Sequence, residues 1–216
     1  MMDIVMIGSG GCMRELAWQV FEDNKRLKRW NIIGYVDTKP PVLGNSLKIG
    51  DFLIPYLGDD NYLLKVEYDM NIIMSVGSSM LRRKIAQKYQ NNSHLLFPNL
   101  ILNSAIVSKD LKMGRGCIIT MDVRVSTNVS MGNFVFMNTG TMVCHDSVVG
   151  DYVTFAPRSQ VAGAVSVGKD TEIGMNATII QNLNIGNNVI VGAGTVVIGD
   201  IEDNSTVVGV PARKVK

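Results

Sequence analysis

From Ile101 onward every sixth residue is Ile, Val, Met or Phe: Ile101, Val107, Met113, Ile119, Val125, Met131, Met137, Val143, Val149, Phe155, Val161, Val167, Ile173, Ile179, Ile185, Val191 and Val197. That makes seventeen hexads without a miss. The position four residues further on is Ala, Leu, Cys, Val, Thr, Ser or Ile throughout, and Gly, Asn, Asp, Ser and Lys fill the intervals, as turns and exposed positions require. A period of six fits neither a 3.6-residue helix nor a strand that alternates for a few residues. It fits a β-helix in which each hexad is one short strand and one corner, with the hexad-start side chain directed at the coil axis. Each coil then pairs with its neighbour about 4.8 Å away, so stacking covers the strand edges.

Residues 3 to about 97 carry no hexads and read differently. An apolar run, Asp3 to Ile7, ends in Gly8-Ser9-Gly10-Gly11, and Glu15 to Leu27 places Leu16, Trp18, Val20 and Phe21 at helical spacing. A second run, Ile32 to Val36, closes on Asp37, and a third, Asn71 to Gly77, precedes a basic helix from Met80 to Tyr89. Leu95-Leu96-Phe97 leads into the repeat. Strand, glycine turn, helix, strand is the grammar of a nucleotide-binding half-domain. The expected division is therefore an α/β, Rossmann-like domain over residues 1–97 and a β-helix with a C-terminal tail over 98–216. A length of 216 residues suits one large domain or two small ones.

In the first half, Gly8, Gly10 and Gly11 make room for a phosphate beside the N–H groups of a helix start. Met13 stands where a full Gly-x-Gly-x-x-Gly would have its third glycine, which favours a mononucleotide-sized ligand over a dinucleotide. A plain strand-to-helix turn is the alternative. Asp37 sits where such domains hydrogen-bond a ribose or base, and Lys39 just beyond could meet a phosphate; both could equally be solvated loop charges. Gly77 and Ser78, closing the third run, complete the substrate-facing set expected here.

Composition excludes several classes. The formal net charge is +2, which argues against a nucleic-acid binder that relies on a large positive field. No apolar run approaches the roughly 18 residues of a membrane span. The start, Met1-Met2-Asp3-Ile4-Val5, has no basic region or cleavage site of a signal peptide. Cys12, Cys117 and Cys144 form an odd, scattered set that reads as free thiols in a reducing cytoplasm. Two histidines are too few for a multi-histidine metal site, and no metal is expected.

The hexad run resembles that of the hexapeptide-repeat acyltransferases, which implies a left-handed parallel β-helix with three hexads per coil. Seventeen hexads then make between five and six coils, about 27 Å of prism at the strand spacing above. A small α/β domain followed by such a helix is similar to the NeuD/PglD-like family of sugar acyltransferases. The sharpest stretches are Met137-Asn138-Thr139-Gly140, Cys144-His145-Asp146-Ser147-Val148-Val149-Gly150-Asp151, Val161-Ala162-Gly163 and Val208-Gly209-Val210-Pro211-Ala212-Arg213. The resemblance implies acetyl-CoA as co-substrate and an N-acetyltransferase acting on a nucleotide-activated amino sugar, such as a UDP- or GDP-linked 4-amino-4,6-dideoxy sugar, for surface polysaccharide synthesis. O-acetylation of a sialic acid or similar sugar is the nearer alternative, and a non-catalytic trimeric scaffold that binds a sugar nucleotide the more distant one.

By the same resemblance the catalytic pair falls on His145 and Asp146, a substrate-contacting amide on Asn138, and the N–H facing the acetyl group on Gly163. Acetyl-CoA would lie in a groove between β-helices of a homotrimer, along Thr154, Gly163, Gly174, Met175, Gly192, Ala193, Gly194 and Pro211. Arg213 and Lys214 would meet its phosphates, unless Arg213, Lys214 and Lys216 are simply a solvated basic end. Two positions depart from the family. Cys12 stands where relatives usually have a histidine in the glycine turn, and Thr154 where they often have one after the catalytic coil, which puts the acceptor in doubt but not the base. Spacing adds support of its own. His145 is the third residue of its hexad, so its ring should leave the prism, and Gly163, 18 residues on, should lie one coil above it. Contact between Asp146 and its neighbour His145 requires the chain to turn sharply at the corner.

Overall fold

The computed structural model describes residues 1–40 and 45–216. The chain divides into two compact units, Met1–Gly77 with Leu81–Pro98, and Ser78–Met80 with Asn99–Lys216.

The first unit is built on β1 (Met2–Ile7), α1 (Gly11–Asn24), β2 (Trp30–Val36), β3 (Ser46–Ile49), β4 (Phe52–Gly58), α2 (Asp60–Leu64), β5 (Met70–Met74), α3 (Ser79–Tyr89) from Leu81 onward, and β6 (Leu95–Leu96). Its sheet runs β3-β4-β2-β1-β5-β6, parallel except for the β3/β4 hairpin. β1 is central, and Ile4, Val5 and Met6 are fully buried, as are Ile72 and Ile73 beside them on β5. A parallel strand covered on both faces reads as an unbroken apolar run, which is the signal seen at 3–7. Gly34 on β2 is needed for space, because a Cβ there would stand 2.5 Å from the Leu57 side chain. α1 begins at Gly11, four residues before the apolar spacing suggests, so Cys12 lies in the first turn of the helix and not in the loop. The β3/β4 hairpin and α2 have no counterpart in the sequence reading.

The second unit is a left-handed parallel β-helix. Two-residue strands pair at a spacing of 18, Ile119 to Met137 to Phe155 to Ile173 to Val191 on one face, so three hexads make a coil. Each link between strands is a four-residue corner, which escapes the right-handed preference of helical crossovers. Hexad-start residues from Ile119 to Val197 are buried, whereas Ile101, Val107 and Met113 in the first coil are half-buried. Each fully buried Val or Ile contributes about 1.5–3 kcal/mol relative to exposure. Every sixth residue from Gly116 to Gly194 has positive φ, which explains the Asn, Asp and Gly at most of these corners. Phe134, Tyr152, Arg158 and Ala164 adopt it too, and the Phe134 and Tyr152 rings stack one coil apart at 5.3 Å between centroids. The repeat ends where the hexads end: Val191 pairs with Val207 and Ile185 with Ile201, a coil two residues short. A hairpin of Thr206–Val208 with Arg213–Lys214 closes the chain.

Candidate active site

The corner at 145–146 in the β-helix brings together three of the residues singled out above. His145 is exposed, as its hexad position requires, and Asp146 takes φ +61, which turns its carboxylate back to the ring. The result is a 2.7 Å contact between His145 Nδ1 and Asp146 Oδ2. Asp146 Oδ1 accepts a 2.6 Å hydrogen bond from Asn128 Nδ2, one coil below. Hydrogen bonds from Asn128 first, then from His145, hold the Asp146 carboxyl below its usual range. An ionised carboxylate only accepts, so Nδ1 carries the proton of this contact, and in the neutral ring that leaves the lone pair on Nε2.

Gly163 lies one coil above. A Cβ built on it would be 2.5 Å from His145 Cε1 and 2.6 Å from Nε2, so the imidazole occupies the space a side chain at 163 would need. Gly163 is buried, its carbonyl accepts from Asn182 N at 3.1 Å, and its N–H meets no acceptor among the described residues. The ring and an N–H with no acceptor among the described residues thus lie on neighbouring coils at this edge.

Asn138 is not part of this cluster. Its Oδ1 accepts from Thr139 N at 2.7 Å, and no hydrogen bond joins it to His145 among the described residues. Thr154 is half-buried on a strand of the face that runs through Phe155. Gly174, Met175, Gly192, Ala193 and Gly194 do gather: a Cβ on Gly174 would stand 2.6 Å from Ala193 N and Gly192 C, and Gly194 N donates to Met175 O at 2.8 Å. Their corner, however, belongs to the column of Gly140, Arg158, Asn176 and Gly194, a different edge of the prism from Asn128, Asp146, Ala164 and Asn182. Pro211 is half-buried, and Arg213 is exposed in the closing hairpin with its Nη1 bonded to Ala212 O at 3.0 Å.

The first unit has its own cleft of about 310 Å³ at the end of β1, with an apolar floor of Ile7, Val36, Val76, Leu81 and Ile85 and polar groups from Asp37, Thr38, Asp60, Lys84 and Lys88. Gly8 lines it and has φ +105, the turn that a glycine permits at the end of a strand. Asp37 accepts from Ser9 Oγ at 2.6 Å and from Lys39 N at 3.1 Å, so it pins the glycine turn to the end of β2. Gly10 caps α1 without a side chain, and Gly11 is exposed on its first turn. Burial pushes the Cys12 thiol up to about 11, so it stays protonated near neutral pH. Gly77 is half-buried 4.0 Å from Cys12 Sγ, measured from its built Cβ; Ser78 is exposed. Lys39 is exposed and not among the cleft residues; the cations there are Lys84 and Lys88 on α3, which the sequence reading left without a role. Their signal was available: Leu81, Lys84, Ile85 and Lys88 fall on one helical face. Asp60 accepts from both Lys88 Nζ and Tyr89 Oη, and these bonds outweigh burial to lower its carboxyl. Arg82, 1% exposed, donates to the carbonyls of Val76 and Gly77 at 2.9 and 2.7 Å and stiffens the loop after β5.

Fold and site together define a hexapeptide-repeat β-helix protein with an N-terminal α/β unit. Residues 3–89 match the family described as the PglD N-terminal domain. PerB from Caulobacter crescentus, solved with CoA and GDP-perosamine, is 30% identical and superposes with a TM-score of 0.83 over 100% of this chain and 98% of that one. The acetyltransferase domain of PglB from Neisseria gonorrhoeae, solved with acetyl coenzyme A, is 26% identical with a TM-score of 0.84, covering 99% and 98%. The GDP-perosamine N-acetyltransferase of Escherichia coli O157:H7 is 38% identical over 119 residues, 52% of this chain and 53% of that protein. The chain thus aligns with about half the length of this curated relative. The chain belongs to the NeuD/PglD-like sugar acyltransferase family. Among the described residues no helix is long and apolar enough to cross a membrane.

Proposed function

We propose that the protein transfers the acetyl group of acetyl-CoA to the amine of a nucleotide-linked amino sugar, with a GDP-linked 4-amino-4,6-dideoxy sugar as the first acceptor to test. The observation that carries this is the His145 ring, seated on bare Gly163 with Nδ1 held by Asp146, which leaves Nε2 as the nitrogen that can take up a proton. The sugar amine attacks the thioester carbonyl while its proton passes to Nε2. The N–C bond forms, the negative charge on the carbonyl oxygen is received by Gly163 N–H, and the C–S bond then breaks. The proton on His145 goes to the leaving thiolate, so acetamide and free CoA thiol balance the reaction. No covalent acyl-enzyme is needed. Cys144, half-buried beside the base, is a corner residue in this scheme.

Each unit offers binding features of its own. The first unit's cleft, with Gly8, Asp37, Lys84 and Lys88, suits a nucleoside diphosphate: an apolar slot for the base, a carboxylate, and the Lys84 ammonium for a phosphate, with Lys88 beside it on Asp60. Asn138 is the further amide for the sugar. Acetyl-CoA lies along Gly174, Met175 and Gly192 to Gly194, with Thr154, Pro211 and Arg213 beside it. That wall and His145 stand on different edges of one prism, which is the physical argument for a homotrimer: a groove between two copies joins an edge of one to the other edge of its neighbour. Acetyl-CoA and nucleotide sugars are cytoplasmic metabolites, which argues for the cytoplasm, and the product would serve surface polysaccharide synthesis.

The test is CoA thiol release from acetyl-CoA across GDP-, UDP- and dTDP-linked 3- and 4-amino sugars. Turnover with one of these acceptors is the expected result. Release only with a hydroxyl-bearing sugar would replace the amine acceptor, and no CoA binding would overturn acetyl transfer.

A further inference from the structure

The edge that carries His145 has side chains linked across three successive coils. At the 18-residue spacing its column reads Asp110, Asn128, Asp146, Ala164. Asp110 Oδ2 accepts from Asn128 N at 2.9 Å and from Thr127 Oγ1 at 2.6 Å. Asn128 Nδ2 then donates upward to Asp146 Oδ1 at 2.6 Å, and Asp146 Oδ2 meets His145 Nδ1. Above Asp146 the column offers only Ala164, so the carboxylate is held from below and from the side.

Asparagine at these corners has a bland explanation, since it tolerates positive φ, and Asn128 has φ +55. Corner amides also bond each other elsewhere, as Asn188 Nδ2 does to Asn204 Oδ1 at 2.8 Å. Column 128 differs in what its amide meets: a carboxylate whose second oxygen is committed to an imidazole. Asp146 is exposed and would rotate freely about χ1 and χ2 without the amide. The alternation of carboxylate, amide and carboxylate also matters, because a carboxylate at 128 would face Asp146 directly.

We propose that Asn128, anchored by Asp110, is a positioning residue that fixes the Asp146 carboxylate and through it the Nδ1–H tautomer of His145. It touches neither substrate in this scheme; it acts through Asp146. The inference rests on the acetyl-transfer reading for its consequence in turnover, but not for its effect on the ring.

Two variants separate the amide from the backbone. Asn128→Gly keeps the left-handed corner and removes the amide. Asn128→Asp keeps the shape and replaces the donor with a second carboxylate. The readout that a purely structural role would not move is the imidazole ¹⁵N spectrum, taken where the ring is neutral. The chain has two histidines, so His94→Gln identifies the His145 signals. Both Asn128 variants should lose Nδ1–H character at His145 while melting as cooperatively as the parent. In turnover, kcat should fall about 10-fold with KM little changed. An unaltered His145 spectrum in both variants would overturn the proposal. If the parent turns over none of the acceptors, the acetyl-transfer reading fails by itself, and the ¹⁵N spectra still decide whether Asn128 sets the tautomer.

Discussion

Replacing Gly163 with alanine adds one methyl group at the point where the geometry is tightest. The new Cβ would stand 2.5, 2.6 and 3.0 Å from Cε1, Nε2 and Nδ1 of His145, whereas ordinary contact begins at 3.4 Å. The ring must therefore retreat by about 1 Å. It can, because it is an exposed side chain free to rotate at χ1, but retreat breaks the 2.7 Å bond to Asp146 and carries Nε2 away from the reacting amine. Misplacing a reacting group by about 1 Å costs on the order of 100-fold, roughly 2.7 kcal/mol of barrier. Folding moves the other way. Gly163 does not have positive φ, so alanine fits its backbone and restricts the unfolded chain, worth about 0.4–1 kcal/mol in favour of the fold. Gly163→Ala should thus melt at or slightly above the parent temperature while its thiol-release kcat/KM drops about 100-fold. A variant with kcat/KM within about two-fold of the parent would refute the placement of the ring against Gly163.

Gly174→Ala should behave in the opposite sense. Its Cβ would meet backbone atoms of the next coil at 2.6 Å, which cannot rotate away, so the cost falls on stability at about 1–3 kcal/mol and lowers Tm by roughly 2–12 °C in a calorimetric scan. Asp110 supplies a pH test. Hydrogen bonds from Ser108, Thr127 and the Asn128 backbone lower its carboxyl from 3.8 to about 2. A depressed carboxylate stabilises the fold above its unfolded value, and that contribution is lost as pH falls from about 4 towards 2. The Tm advantage of the parent over Asp110→Asn should shrink to nothing through that window; a gap constant from pH 6 to pH 2 would contradict the hydrogen bonds at Asp110.

Much of this arrangement was legible in the residues. Seventeen apolar hexad starts specify an axis-facing column, and the structure buries it from Ile119 to Val197. His145 and Gly163 met because 18 residues is one coil, so a one-dimensional spacing converts directly into a contact. The His145–Asp146 bond depended on a dihedral angle, φ +61 at Asp146, which spacing left undetermined. The two-residue shortening after Val197 was invisible for a related reason: the pattern stops there, and a broken period carries no register. In the first unit the short strands β3 and β4 pair as a hairpin at the sheet edge, and their half-exposed residues carry no clean alternation. In the sequence Lys84 and Lys88 show only as part of a basic helix, because it is the fold around them that turns that face into a cleft. Ser9, between two glycines, gave no sign that it would donate to Asp37, 28 residues away.

The most direct test is steady-state CoA release with a GDP-linked 4-amino sugar, comparing the parent with His145→Ala at matched oligomeric state. His145→Ala should remain folded, bind acetyl-CoA and turn over about 10²- to 10⁴-fold more slowly. Equal rates in the two proteins would show that the proton leaves the amine by another route, and His145 would no longer be the base.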